Sequence, residues 1–209
     1  MQNKILKFLG IVFLIFFIYF FTYTFIIPHN KIIIGLPFSH ENLPYDILPM
    51  GETLNHPKPQ NPQGHPGIDF IWNKKVPIIS SSDGVITKIQ KHFDGRTWDV
   101  EIKSGSYALR YTELGGYNNK LTTGKTISKG DFIGYPQQPF ENSKDRNTNF
   151  FMIHWEFDYY SSFSDRLCPL TYFDSDSLKL INEIWENSLY KEKNQFPYIC
   201  SGDYFGKDK

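Results

Sequence analysis

Phe150-Phe151-Met152-Ile153-His154-Trp155-Glu156-Phe157 is the strongest strand pattern in the chain. Successive side chains of a strand point to opposite faces, so Met152, His154 and Glu156 share one face and Ile153, Trp155 and Phe157 the other. A histidine among such apolar neighbours is either a satisfied core residue or a metal ligand, and the strand alone leaves both open. Further runs of high β propensity lie upstream: Val85–Ile89, Trp98–Lys103 and Ala108–Thr112. They are separated by turn signals, Ser82-Asp83-Gly84, Asp94-Gly95, Ser104-Gly105 and Lys129-Gly130-Asp131. Short strands punctuated in this way predict an all-β core of antiparallel sheet. Downstream, residues 175–189 place Leu178, Ile181, Trp185 and Leu189 on one helical stripe, which predicts a short C-terminal helix capped by Ser175 or Asp176.

The densest chemical feature is Gly64-His65-Pro66-Gly67-Ile68-Asp69-Phe70. Proline and glycine between the imidazole and the carboxylate exclude a helix, so the chain can curl until both side chains face one point. Taken by itself the spacing also fits a loop histidine beside a turn aspartate. With His154 added, two histidines and one aspartate make a zinc site of catalytic type, with the fourth position left to water. Such a site lowers the pKa of water and polarises a carbonyl.

Five motifs, in order, resemble those of the lysostaphin-type (LytM-type) metallopeptidases. His65-Pro-Gly-Ile-Asp-Phe70 is similar to the family's H-x-G-x-D motif, and Val76–Thr87 to the segment that follows it. Leu109-Arg-Tyr-Thr-Glu-Leu114 stands where the family has Y-x-H-L, and Thr123–Gly134 resembles its glycine-spaced run. Met152-Ile-His-Trp-Glu156 stands where the family has H-L-H-F-E, and Cys168-Pro-Leu-Thr-Tyr172 resembles the closing motif. The resemblance spans residues 64–173. It implies a β-sheet peptidase domain with zinc on His65, Asp69 and His154, and a peptide of peptidoglycan or another glycine-rich peptide as substrate.

Two positions depart from the family. Its second catalytic-site histidine, in Y-x-H-L, is replaced by Glu113, and the first histidine of H-x-H by Met152. Methionine neither shuttles a proton nor donates a hydrogen bond; a glutamate can act as a base. Two functions are therefore carried forward: a zinc peptidase with Glu113 as altered base, and an inert zinc-binding domain that binds cell wall or regulates a murein hydrolase.

The remaining chain sets the context. Residues 8–27 are uncharged and almost wholly apolar, just long enough to cross a hydrocarbon core, and Lys4 and Lys7 precede them. The segment reads as a single-pass signal anchor with the domain on the periplasmic or outer side, against the competing reading of a cleaved signal peptide. The prolines of residues 28–63 break regular structure and suggest an extended lead-in wrapped on the domain, or a stalk. Residues 174–209 form the C-terminal helix and tail. Net charge is zero with no basic block, which gives no footing for nucleic acid. Cys168 and Cys200 form an even pair, read as a disulfide in an oxidising compartment or else as two buried thiols. His29, His40 and His92 read as solvated, His56 as close enough to fold over the groove, Arg110 as a surface charge, and Tyr111 and Tyr159 as packing residues able to reach an oxyanion.

Overall fold

The computed structural model describes residues 10–17, 32–53, 64–138, 150–160, 166–193 and 198–201. The chain divides into two compact units, Met1–Lys31 and Ile32–Lys209. In the first, residues 10–17 are helical with exposed side chains. No helix among the described residues is long and apolar enough to cross a membrane, and residues 18–27 of the apolar run lie outside them.

The second unit is built on antiparallel β structure. Its strands are β1 (Asp46–Leu48), β2 (Ile68–Trp72), β3 (Ile78–Ile79), β4 (Gly84–Lys91), β5 (Trp98–Ser104), β6 (Tyr107–Tyr117), β7 (Thr126–Ile127), β8 (Phe132–Pro136) and β9 (Phe151–Tyr159). They run in the order β1-β2-β9-β6-β5-β4-β7, with β8 joining β3 and β6. Every expected strand is present, each within a few residues of its predicted limits.

The alternation decides what each face does. Ile68, Phe70 and Trp72 of β2, Ile153, Trp155 and Phe157 of β9, and Leu109 and Tyr111 of β6 enter one buried cluster. Aromatic edges interlock there: Phe70 lies against Phe38, Trp72 and Trp155, and Trp155 stacks on Phe173. Full burial of side chains this size stabilises the fold by roughly 1.5–3 kcal/mol each. Asp69, His154, Glu156, Arg110 and Thr112 alternate onto the opposite face of the same strands. β2 and β9 pair in the register Asp69↔His154, while β9 and β6 pair His154 with Thr112 and Glu156 with Arg110. Hydrogen-bonded register therefore brings together residues far apart in sequence.

The segment read as a lead-in contributes to this unit from Ile32 onward. Ile34, Leu36, Phe38, Ile47 and Met50 are buried in the core, and β1 extends the sheet beside β2. Helix α1 (Ser175–Glu186) and the short α2 (Leu189–Lys193) lie against β1. The N-cap of α1 is Asp174, one residue before the expected Ser175 or Asp176: its carboxylate accepts from the Ser177 amide at 2.7 Å and from Lys129 at 2.6 Å. Leu180, Ile181, Ile184 and Trp185 form the buried face, whereas Leu189 lies beyond the helix end and is half exposed. Cys168 and Cys200 are joined as a disulfide. That bond holds residues 199–201 where Met50 donates to the Ile199 carbonyl and Ser201 donates to the Met50 carbonyl.

Candidate metal centre

Gly51 and His65 exchange backbone hydrogen bonds of 2.8 and 2.6 Å, and the H-P-G-I-D segment lies over the middle of β9, at His154 and Trp155. Gly67 makes the approach feasible. A Cβ there would lie 2.4 Å from the Trp155 carbonyl and 2.9 Å from the His154 ring, so any side chain would displace the imidazole. β2 then presents Asp69 directly across from His154.

The three side chains converge. His65 Nε2 lies 3.0 Å from His154 Nδ1 and 3.2 Å from Asp69 Oδ1, and His154 Nδ1 lies 2.7 Å from the same oxygen. Both outer nitrogens are held by acceptors: His65 Nδ1 donates to the Pro49 carbonyl at 2.8 Å, and His154 Nε2 to Glu156 Oε1 at 3.2 Å. A carbonyl and a carboxylate only accept, so each ring must carry a proton on its outer nitrogen. The inner nitrogens, with Asp69 Oδ1, are thereby set as ligand atoms. For tetrahedral zinc with bonds of ~2.0–2.2 Å the ligand atoms stand about 3.3 Å apart. The observed triangle is a few tenths of an ångström tighter, and the residues fit a zinc ion.

The electrostatics agree with the geometry. Burial would raise the Asp69 carboxyl, but His65 and His154 outweigh it and hold it well below the usual carboxylate range. Burial would lower His154, but its hydrogen bonds to Asp69 and Glu156 push it up to about 10. Glu156 follows the same logic: burial opposes ionisation, while His154, Arg166 and Arg110 bring it down to about 2. Arg166 reaches Glu156 at 3.1 Å. Arg110 is no surface charge. It is buried between Glu101, at 2.8 Å, and the carboxylates of Glu156 and Asp158, because three acidic residues on neighbouring strands face its position.

Glu113 occupies the left-handed region with φ +59°, where a side chain is strained. The cause is a bulge. β5 and β6 pair as Val100↔Tyr111 and then Trp98↔Leu114, so Thr112 and Glu113 together oppose Asp99. Tyr111 and Leu114 both remain in the core, and the extra residue turns Glu113 out of the alternation. Gln137 Nε2 donates to Glu113 Oε2 at 2.7 Å. Burial, then the negative charge of Asp69, push the Glu113 carboxyl upward, while His154 and His92 act in the opposite direction. Glu113 thus lies within electrostatic reach of the His–Asp–His cluster.

Tyr111 and Tyr159 pack as expected, and His92 departs from its expected place. Tyr111 is fully buried and its oxygen accepts from the Ser81 amide, so it is not directed at a cleft; Tyr159 stacks on Tyr107. His92 is not solvated: it is largely buried, bonded to Asp99 and 3.9 Å from Glu113. His40 is exposed, while His29 and His56 lie outside the described residues. Sequence reasoning missed the Pro49 carbonyl, Gln137 and the orienting role of Glu156. Only Glu156 left a signal, by sharing the strand face of His154.

No family model matches the chain, and no curated protein matches it in sequence. Among solved structures, Csd3 of Helicobacter pylori superposes with a TM-score of 0.51 at 19% identity, over 78% of this chain and 43% of that one. The catalytic domain of the antimicrobial peptidase lysostaphin from Staphylococcus simulans aligns with a TM-score of 0.47 at 21% identity, over 61% of this chain and 90% of that one. The chain thus spans less than half of the Csd3 chain. The fold is shared with Csd3, in keeping with the lysostaphin-type (LytM-type) resemblance of the motifs, and at this identity the likeness extends to the fold alone.

Proposed function

We propose that this chain is a membrane-anchored zinc peptidase of the cell exterior or periplasm, cleaving a peptide bond in peptidoglycan or a related glycine-rich peptide. The observation that carries the proposal is the meeting of His65 Nε2, His154 Nδ1 and Asp69 Oδ1, each within 3.2 Å of the others and with both ring tautomers set from outside. A zinc ion held there supplies Lewis acidity to a carbonyl and makes water more acidic. Glu113 is the base. Raised by burial and by Asp69, its carboxylate accepts the proton of a water that adds to the scissile carbonyl carbon. Glu113 then returns the proton to the departing nitrogen as the C–N bond breaks, leaving a carboxylic acid and an amine, and the acid's proton passes to the amine or to solvent. Gln137 keeps the carboxylate oriented throughout.

The test is metal content measured together with turnover. The purified chain should hold close to one zinc and cleave purified peptidoglycan or a pentaglycine peptide. Glu113→Gln should keep the zinc and lose about 10²-fold or more in rate. Met152 favours a second reading: it lies on the strand face of His154 and brings no hydrogen-bond donor to an oxyanion. If the zinc-loaded chain turns over neither substrate, it is an inert domain that binds cell wall or regulates a murein hydrolase. Anchoring is supported by the apolar residues 8–27 behind Lys4 and Lys7. Fractionation should find the full-length chain in the membrane, digested by protease only from the outside. A mature form beginning near residue 28 would replace the anchor with a cleaved signal.

A further inference from the structure

His92 begins the hairpin that joins β4 to β5, and that hairpin is internally tied. Its amide donates to the Thr97 carbonyl, Gly95 donates back to the His92 carbonyl, and Asp94 accepts from the amides of Arg96 and Thr97. The ring is packed by Phe93, with centroids 4.2 Å apart. Its Nδ1 lies 2.8 Å from Asp99 Oδ1. A carboxylate cannot donate, so Nδ1 carries the proton and Nε2 is the free end of the imidazole. Nε2 is buried, has no hydrogen-bond partner among the described residues, and lies 3.9 Å from Glu113 Oε1.

This alignment is produced by the same bulge that turns Glu113 out of its strand. The two residues Thr112 and Glu113 oppose the single residue Asp99, so the Asp99 carboxylate, the imidazole it holds and Glu113 form a line across β5 and β6. We propose that His92, fixed by Asp99, is a positioning residue for Glu113, substituting an imidazole from the β4–β5 hairpin for one that the central strands lack. The inference rests on Glu113 acting as base.

Nε2 faces Glu113 Oε1 at 3.9 Å, and the described residues give it no other partner. Burial and Asp69 push the Glu113 carboxyl upward and His92 acts against them, so the imidazole favours the ionised carboxylate that must accept the proton of the attacking water. Asp99 contributes by fixing the ring so that Nε2, not Nδ1, faces Glu113. Outer partners of this kind change activity by about 10–100-fold in metal sites.

The experiment uses the full-length chain in detergent, zinc-loaded, with a pentaglycine peptide as probe. His92→Ala should lower kcat by about 10–100-fold with KM and zinc stoichiometry unchanged. Added imidazole should restore part of the rate of His92→Ala and none of Glu113→Gln. Asp99→Asn, which keeps the shape but releases the tautomer, should lower kcat in the same way. A second readout needs no turnover: in the metal-free protein, Glu113→Gln should move the 15N resonance of His92 Nε2 while leaving that of Nδ1 near its wild-type position. If Glu113→Gln is inactive but His92→Ala turns over like wild type, or the Nε2 resonance ignores Glu113→Gln, the role of His92 is overturned and the peptidase reading stands. If zinc-loaded wild type is inert, both are overturned.

Discussion

Zinc loading should expel about one proton per ion at neutral pH. In the metal-free site the Nδ1 proton of His154 faces Asp69 at 2.7 Å and the Nε2 proton faces Glu156 at 3.2 Å. Those carboxylates outweigh burial and lift the ring to about 10. Zinc needs the Nδ1 lone pair, so that proton must leave. Each pH unit is ~1.4 kcal/mol, so at pH 7 about 4 kcal/mol of the intrinsic affinity goes into removing it. Affinity should therefore rise about tenfold per pH unit between about pH 6 and 8. The metal-free fold has the opposite slope. A histidine raised by folding contributes stability fully below its unfolded pKa of ~6.5, and that contribution is lost as pH climbs through about 10. The increase in Tm caused by zinc should accordingly grow with pH. Calorimetry in two buffers of different ionisation enthalpy counts the protons released, and thermal melts with and without zinc give the stability slope. Glu156→Gln removes one of the two carboxylates. It should weaken zinc binding by about 10–100-fold and flatten the pH slope from a lower pH upward. Affinity independent of pH, with no proton released, would mean that His154 is neutral without metal and would refute the reasoning.

Three further outcomes test the scaffold. Glu113→Gly relieves a left-handed side chain worth about 1–2 kcal/mol, offset by about 0.5–1 kcal/mol of glycine entropy and by the lost Gln137 hydrogen bond. Urea unfolding should place it within about 1 kcal/mol of wild type although activity is gone; a much larger loss would show that φ +59° carries no strain. Phe70→Ala empties the centre of the core and should cost about 3–5 kcal/mol by the same assay, with a loss below 1 kcal/mol contradicting its packing. Cys200→Ser opens a loop between cysteines 32 positions apart and should cost roughly 3–4 kcal/mol, while the native thiols should resist labelling until reduced.

The sheet was legible because alternation is a local property: Ile153-His154-Trp155-Glu156 declares its two faces without knowing its neighbours. The three-residue cluster needed more, since Asp69 and His154 meet only through the register of β2 with β9, which the family motifs supplied and single-strand patterns do not. The bulge had a trace in the sequence. Leu109 and Tyr111 keep period two, and Leu114 breaks it by one residue, so an inserted position falls at Thr112-Glu113. His92 left no such trace, because a histidine beside Asp94-Gly95 looks like any turn residue until β5 brings Asp99 against it. Pro49 orients His65 through a backbone carbonyl, and carbonyls have no sequence identity to read. Residues 32–53 were obscured by their prolines, which removed regular structure while Ile34, Leu36 and Phe38 still supplied core.

The tie between residues 199–201 and Met50 bears on how the first histidine is held. The carbonyl that orients His65 belongs to Pro49, adjacent to the Met50 that both gives and takes a hydrogen bond with this segment. Residues 199–201 are made after every ligand, and the disulfide of Cys200 with Cys168 is what secures them. The Gly51–His65 backbone pair and the pairing of β1 with β2 hold the same turn from the other side. In a reducing compartment the thiols do not join, and the turn is left with those ties. The disulfide is thus linked to the first histidine through residues 199–201, Met50 and the Pro49 carbonyl.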